Sequence, residues 1–153
     1  MDKYNPERVH TRVGYIQYIY KNEIYPEAFE NFVLPLAVYD RGGIIAQAND
    51  TFRKLAGLRS DDIQNGAVNI FERLDDKNTV LIEAAHNVFD GKEKVCEGIG
   101  RAIRAKPGSV EYLQLEDYPN AIFFPIARDR DGISLAGILL DENKTDDTED
   151  FNL

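Results

Sequence analysis

The sequence predicts an α+β domain in which one helix precedes two strands, several short helices follow, and three strands close the chain. Three observations predict it. Two Gly-containing turns, Arg41-Gly42-Gly43 and Asp129-Arg130-Asp131-Gly132, each separate apolar runs of strand length. Between those hairpins the apolar residues fall into helical spacing punctuated by Asn, Asp and Gly. The last run, Ile133 to Leu140, is apolar on both alternating faces, with Leu135, Gly137 and Leu139 on one and Ala136, Ile138 and Leu140 on the other. An antiparallel strand with one wet face alternates with polar residues, so this strand needs cover on both sides.

The first helix opens at Asn5-Pro6-Glu7, where Asn caps, Pro suits the first turn and Glu meets the positive helix end. Val9, Val13, Ile16 and Tyr20 then follow at spacings of four, three and four, which makes one apolar stripe. The stripe either folds back on its own sheet or pairs with a second copy, so these four residues are the candidate dimer interface. Tyr15, Tyr18 and Tyr25 add amphipathic rings of the kind common at interfaces. A shorter helix begins at Tyr25-Pro26-Glu27 and ends before Pro35.

Leu36 to Asp40 and Ile44 to Ala48 read as the first hairpin. Asn49 caps the next helix and Gly57 stops it; the expectation is that Asn49 joins the turn around Asp40. Ser60 to Ile63 and Val68 to Leu74 read as short helical turns. Asp75 or Asp76 is expected to cap a longer helix running to Phe89. Val95, Ile99 and Ile103 repeat every four residues, so Lys92 to Lys106 reads as a helical insertion. Val110 to Leu115, Ala121 to Ala127 and Ile133 to Leu140 read as strands. The acidic stretch 143–153 reads as a disordered tail, which leaves 1–31 as a helical segment and 32–142 as the domain.

Composition excludes several classes. With 27 acidic and 18 basic residues the net charge is −9, which argues against direct nucleic-acid binding. No run approaches the ~20 apolar residues of a membrane span. The first residues lack an apolar signal region, so a cytoplasmic location is expected. Cys96 is the sole cysteine, which excludes an internal disulfide and a thiolate zinc cluster, and no metal site is expected. Ser60 and Ser109 lack a glycine elbow, and the pairs Asp61-Asp62 and Asp75-Asp76 read as caps. No base–nucleophile pair or phosphate-binding loop stands out, so no catalysis is expected.

The run Leu34-Pro35-Leu36-Ala37-Val38-Tyr39-Asp40-Arg41-Gly42-Gly43-Ile44-Ile45, then Ala48-Asn49-Asp50-Thr51-Phe52, then Leu55-Ala56-Gly57-Leu58, resembles a PAS domain. Val88-Phe89-Asp90-Gly91-Lys92 resembles the end of the long PAS helix, and Arg128 to Gly132 resembles the turn before the last strand. The segment from Gly91 to Val110 is longer than the family usually has. Of the family's closing motif, which links the sheet to an output helix, only Asp141 is present.

The resemblance implies a five-stranded antiparallel sheet with helices over one face and an N-terminal helix on the other face or on a dimer partner. It also implies a signal-transduction sensor that binds a small molecule in an inner cavity and relays it to a partner or output domain. The alternative is a ligand-free module for dimerisation or protein interaction. Phe52, Leu55, Phe71, Leu81, Ala85 and Phe124 are the cavity candidates. His86 lies in the helix that bears the haem ligand in some PAS proteins, but Leu81, Ala85 and Val88 set the buried stripe beside it, which favours a solvated histidine. The photosensory flavin motif needs a cysteine where this chain has Gln64-Asn65-Gly66-Ala67-Val68, so that chemistry is not expected; Cys96 reads as a packing residue. Kinase, DNA-binding (transcription-regulating) and cyclase outputs all stay open.

Overall fold

The computed structural model describes residues 6–22 and 27–142. Helix α1 spans Pro6–Lys21 and α2 spans Glu27–Glu30. Strands β1 (Leu36–Asp40) and β2 (Ile45–Ala48) form the first hairpin. Helices α3 (Asp50–Ala56), α4 (Ser60–Gln64) and α5 (Thr79–Asn87) follow, then β3 (Lys94–Cys96), β4 (Asn120–Asp129) and β5 (Gly132–Asp141). The five strands make one antiparallel sheet in the order β2-β1-β5-β4-β3. The expected α+β class and sheet are therefore found.

β5 lies at the centre of the sheet, which explains its two apolar faces. Ala136, Ile138 and Leu140 enter an inner core with Tyr39, Phe52, Leu81, Ala85 and Phe123. Leu139 and the flanking Leu135 join an outer core with Val9, Val13, Ile16, Leu36 and Phe124. The sheet thus parts two hydrophobic clusters, with α3 to α5 over one and α1 over the other.

The local signals act through identifiable bonds. Asp40 Oδ1 accepts from the N–H groups of Gly42 and Ile44, both at 3.0 Å, and closes the hairpin. Gly57 ends α3 in the left-handed region and its N–H bonds to Arg53 O. Asn49 caps α3, accepting from Phe52 N at 2.9 Å. Its other bonds correct one expectation: Oδ1 also accepts from Leu36 N, and Nδ2 donates to Leu34 O and Phe32 O, so Asn49 ties α3 to the entry of β1 and not to the Asp40 turn. The residue that holds that turn is Asn69, whose Nδ2 donates to Gly42 O while Oδ1 accepts from Phe71 N.

Three further expectations are corrected. Asn78, rather than Asp75 or Asp76, caps α5, accepting from Leu81 N at 3.1 Å. Asp75 Oδ1 is taken by Lys77 N and lies 3.6 Å from Arg104. Lys92 to Lys106 is not a helix: Lys94 to Cys96 pair with β4 as an edge strand, and Gly98 and Gly100 take φ of 61° and 55°, which a right-handed helix forbids. Val110 to Leu115 is irregular, with one isolated bridge from Tyr112 to Arg104, so β3 takes the sheet place expected of it. Residues 1–5, 23–26 and 143–153, which include the Asn5 cap, the Tyr25-Pro26 start and the acidic tail, lie outside the described residues.

Candidate functional site

Tyr39 is the centre of the inner core. It is fully buried, and its hydroxyl donates to Ala85 O at 2.8 Å. Its ring meets Phe71 and Phe89 edge-on, with centroids 5.8 and 5.6 Å away. Burial pushes its phenol pKa well above the usual value, so the hydroxyl stays protonated and bonded. Of the six cavity candidates, Phe52, Leu81 and Ala85 are buried in this cluster, and Leu55 and Phe71 pack against it. Phe124 does not join them. It faces outward into the α1 cluster, and its neighbour Phe123 holds the inner position. A strand turns successive side chains to opposite faces, so the difference is one residue of register.

His86 is exposed, with its ring stacked 4.0 Å from that of Phe71. That is the solvated position which the apolar stripe implied. Cys96 is buried in the inner cluster and its thiol pKa is raised by that burial, with the nearby Lys94 opposing more weakly. Among the described residues no cluster of His, Cys, Asp and Glu could hold a metal ion.

The four α1 candidates lie against the chain's own sheet. Val9, Val13 and Ile16 are buried there, and Tyr20 packs half-buried at the margin. The exposed face of α1 carries Tyr15 and Tyr18, and Tyr15 stacks on Phe32 at 6.2 Å.

Sequence reasoning missed the polar half of the α1 contact. Arg8 and Arg12 are buried on the same face as Val9 and Val13. Arg12 forms an ion pair with Asp141, the fully buried last residue of β5, and its guanidinium lies 3.8 Å from Glu142. Arg8 donates to Glu142 O at 3.4 Å. Burial raises the Asp141 pKa, with Arg12 and then Arg8 opposing it. At the other end of the interface Gln17 donates to Pro125 O at 2.8 Å. The available signal was the spacing: Arg8 and Arg12 are one turn apart, each directly before a stripe residue.

The surface clefts among the described residues include two that differ in size. One, of about 760 Å³, lies between residues 98–101 and 110–119. The other, of about 250 Å³, lies beside β2 between Phe29, Gln47 and Ile63. Arg53 spans its rim, bonding Glu30 at 2.9 Å and Ala48 O. The cavity candidates line neither cleft.

No family model and no curated protein matches the sequence. Solved structures do match its fold. A domain of a sensory box sensor histidine kinase/response regulator from Geobacter sulfurreducens superposes with TM-score 0.52 at 16% identity, over 79% of this chain and 94% of that one. A PAS domain from Desulfitobacterium hafniense gives 0.50 at 14% identity, over 76% and 99%. The Vibrio cholerae VqmA dimer gives 0.51 at 16% identity, over 81% of this chain and 52% of that one. The strand order, the helices over the inner face and these superpositions together establish the fold of the chain as that of a PAS domain.

Proposed function

We propose that this chain is a signal-transduction module that works by pairing with a partner, without catalysis, and that the seating of α1 on the sheet is the quantity it transmits. The observation that carries this reading is the Arg12–Asp141 pair. It joins the N-terminal helix to the last residue of the central strand, so a shift of the sheet is felt at both flanks of the domain at once. A buried ion pair suits such a role because it specifies one arrangement more than it adds net stability. The VqmA neighbour is described as a dimer whose conformation shifts in the absence of its target DNA. A homodimer and a separate output protein or domain are the partners this reading implies.

The interior favours a filled core over a ligand chamber, because Tyr39 occupies the space between Phe71, Phe89 and α5. Small-molecule sensing is the second reading, supported by the gathering of Phe52, Leu55, Phe71, Leu81 and Ala85 on one inner cluster. Native and denaturing mass spectra of the purified protein, with a visible absorption scan, separate the two. A dimer of bare mass supports the pairing module. A mass excess lost on denaturation transfers the reading to sensing, and the scan then tells haem or flavin from a colourless ligand.

A further inference from the structure

The apolar stripe of α1 is taken up by the chain's own sheet, which leaves the opposite face of the helix turned to solvent. Gly14 is at the centre of that face. A Cβ built on it would meet nothing within 4 Å, and it sits in the middle of the helix, away from any turn. Glycine destabilises a helix interior relative to alanine. Nothing around Gly14 in the described chain offsets that loss. A second helix crossing at Gly14 would, because the side chains at a crossing set how closely two helix axes approach.

The face is symmetric about this residue. At ~100° per residue, Glu7, His10, Tyr18 and Lys21 lie within about 40° of Gly14 around the helix, and Thr11 and Gln17 within about 60°. They form matched pairs to either side of Gly14 in the sequence. A two-fold axis through Gly14 therefore sets two copies of α1 antiparallel, with Glu7 opposite the partner's Lys21 and His10 opposite the partner's Tyr18. The charges favour that direction. Glu7 is in the first turn and Lys21 in the last, so antiparallel helices bring opposite charges and opposite dipole ends together, whereas parallel helices set like against like. Tyr18 is 57% exposed and supplies a ring of the kind enriched at interfaces. Beside it Tyr15 stacks on Phe32, and the next residue, Val33, is exposed, so the apolar surface continues past the helix.

We propose that a second copy of this chain docks on this face, α1 antiparallel to α1 and crossing at Gly14, with Glu7 and Lys21 paired at both ends of the contact. The proposal rests on the pairing reading above and names its surface: the helix that Arg12 and Asp141 seat on the sheet is also the helix that meets the partner.

The test follows self-association of the full chain by sedimentation equilibrium. Gly14→Leu should weaken the dimer about tenfold or more yet raise the melting temperature of the dilute monomer, because leucine is the better helix former. A glycine required by the fold itself would lower it. Glu7→Lys and Lys21→Glu should each weaken the dimer about threefold or more. An equimolar mixture of the two should associate as tightly as the wild type, since opposite charges then meet at both ends. A short thiol-to-thiol cross-linker should join Glu7→Cys chains to Lys21→Cys chains and neither to itself, because the two positions are about 21 Å apart along the helix and the native Cys96 is buried. A chain that stays monomeric at every concentration reached overturns this proposal and the homodimer with it. A dimer that is indifferent to Gly14→Leu, that the mixed charges do not restore, or that cross-links through Glu7→Cys alone overturns this face and leaves pairing elsewhere on the chain standing.

Discussion

Arg12 and Asp141 stand 129 residues apart in sequence and form one ion pair beneath α1, with the carboxylate wholly removed from solvent. Desolvation outweighs both neighbouring arginines and leaves the Asp141 pKa above the usual carboxylate range. Removing one partner of such a pair is costlier than replacing both.

Arg12→Met is therefore expected to lose about 3–5 kcal/mol in urea unfolding near neutral pH. A raised carboxyl pKa means that the fold is favoured with Asp141 protonated, and that this advantage is lost as pH rises through the folded-state value. Without Arg12 that value rises further, so the deficit should shrink as pH falls. A deficit that stays constant with pH would show that Asp141 is not the group left exposed to the loss. The double variant Arg12→Met/Asp141→Leu should recover most of the stability.

Tyr39→Phe removes one hydrogen bond to Ala85 O and should cost about 1 kcal/mol at neutral pH. The phenol pKa is raised by burial, so the fold is favoured with Tyr39 protonated and loses that contribution once pH passes the ordinary value of about 10. The penalty of the variant should therefore fall, then reverse, in alkaline unfolding curves. In a spectrophotometric titration of the folded protein, one of the eight tyrosines should ionise only as the chain unfolds.

A methyl group on Gly137 would stand 2.7 Å from Phe124 Cζ on the outer face. Gly137→Ala should cost about 1–3 kcal/mol by overpacking, and Phe124→Leu in the same chain should return part of it. If the two changes prove simply additive in thermal melts, the close approach is not the cause.

His86→Ala touches only the outer side of Phe71 and should change stability by no more than about 0.5 kcal/mol. Haemin added to the wild type should give no Soret shift that the substitution abolishes. Such a shift would place a haem ligand at His86 and return the cofactor to the centre of the reading.

What the sequence revealed and what it hid have the same physical origin. The Asn49 cap on α3, Gly57 and the two hairpin turns were legible because each of these bonds closes within a few residues, whereas the ties of Asn49 to Phe32, Leu34 and Leu36 were not. Val95, Ile99 and Ile103 imitated a helix by their spacing, yet Val95 packs half-buried on the outer face from β3 while Ile99 and Ile103 are buried in the inner core from irregular chain. The two glycines Gly98 and Gly100 were the contrary signal in the sequence, and both take positive φ. Phe124 was misplaced because β4 is apolar on both faces over Ala121 to Phe124, so alternation could not say which ring faces inward. The Arg12–Asp141 pair depends on a contact across the chain, which no local spacing records.

Because the sheet parts two clusters, the chain has two layers of unequal thickness, and β1, β4 and β5 belong to both. Among the described residues the outer layer is covered by α1, Phe29 of α2 and the Phe32–Leu34 segment, a thinner cover than that of the inner layer, so it is expected to open first. Amide hydrogen exchange should then resolve two levels. The N–H groups of α1 should exchange through an opening less costly than global unfolding, and those of β5 only when the whole chain unfolds.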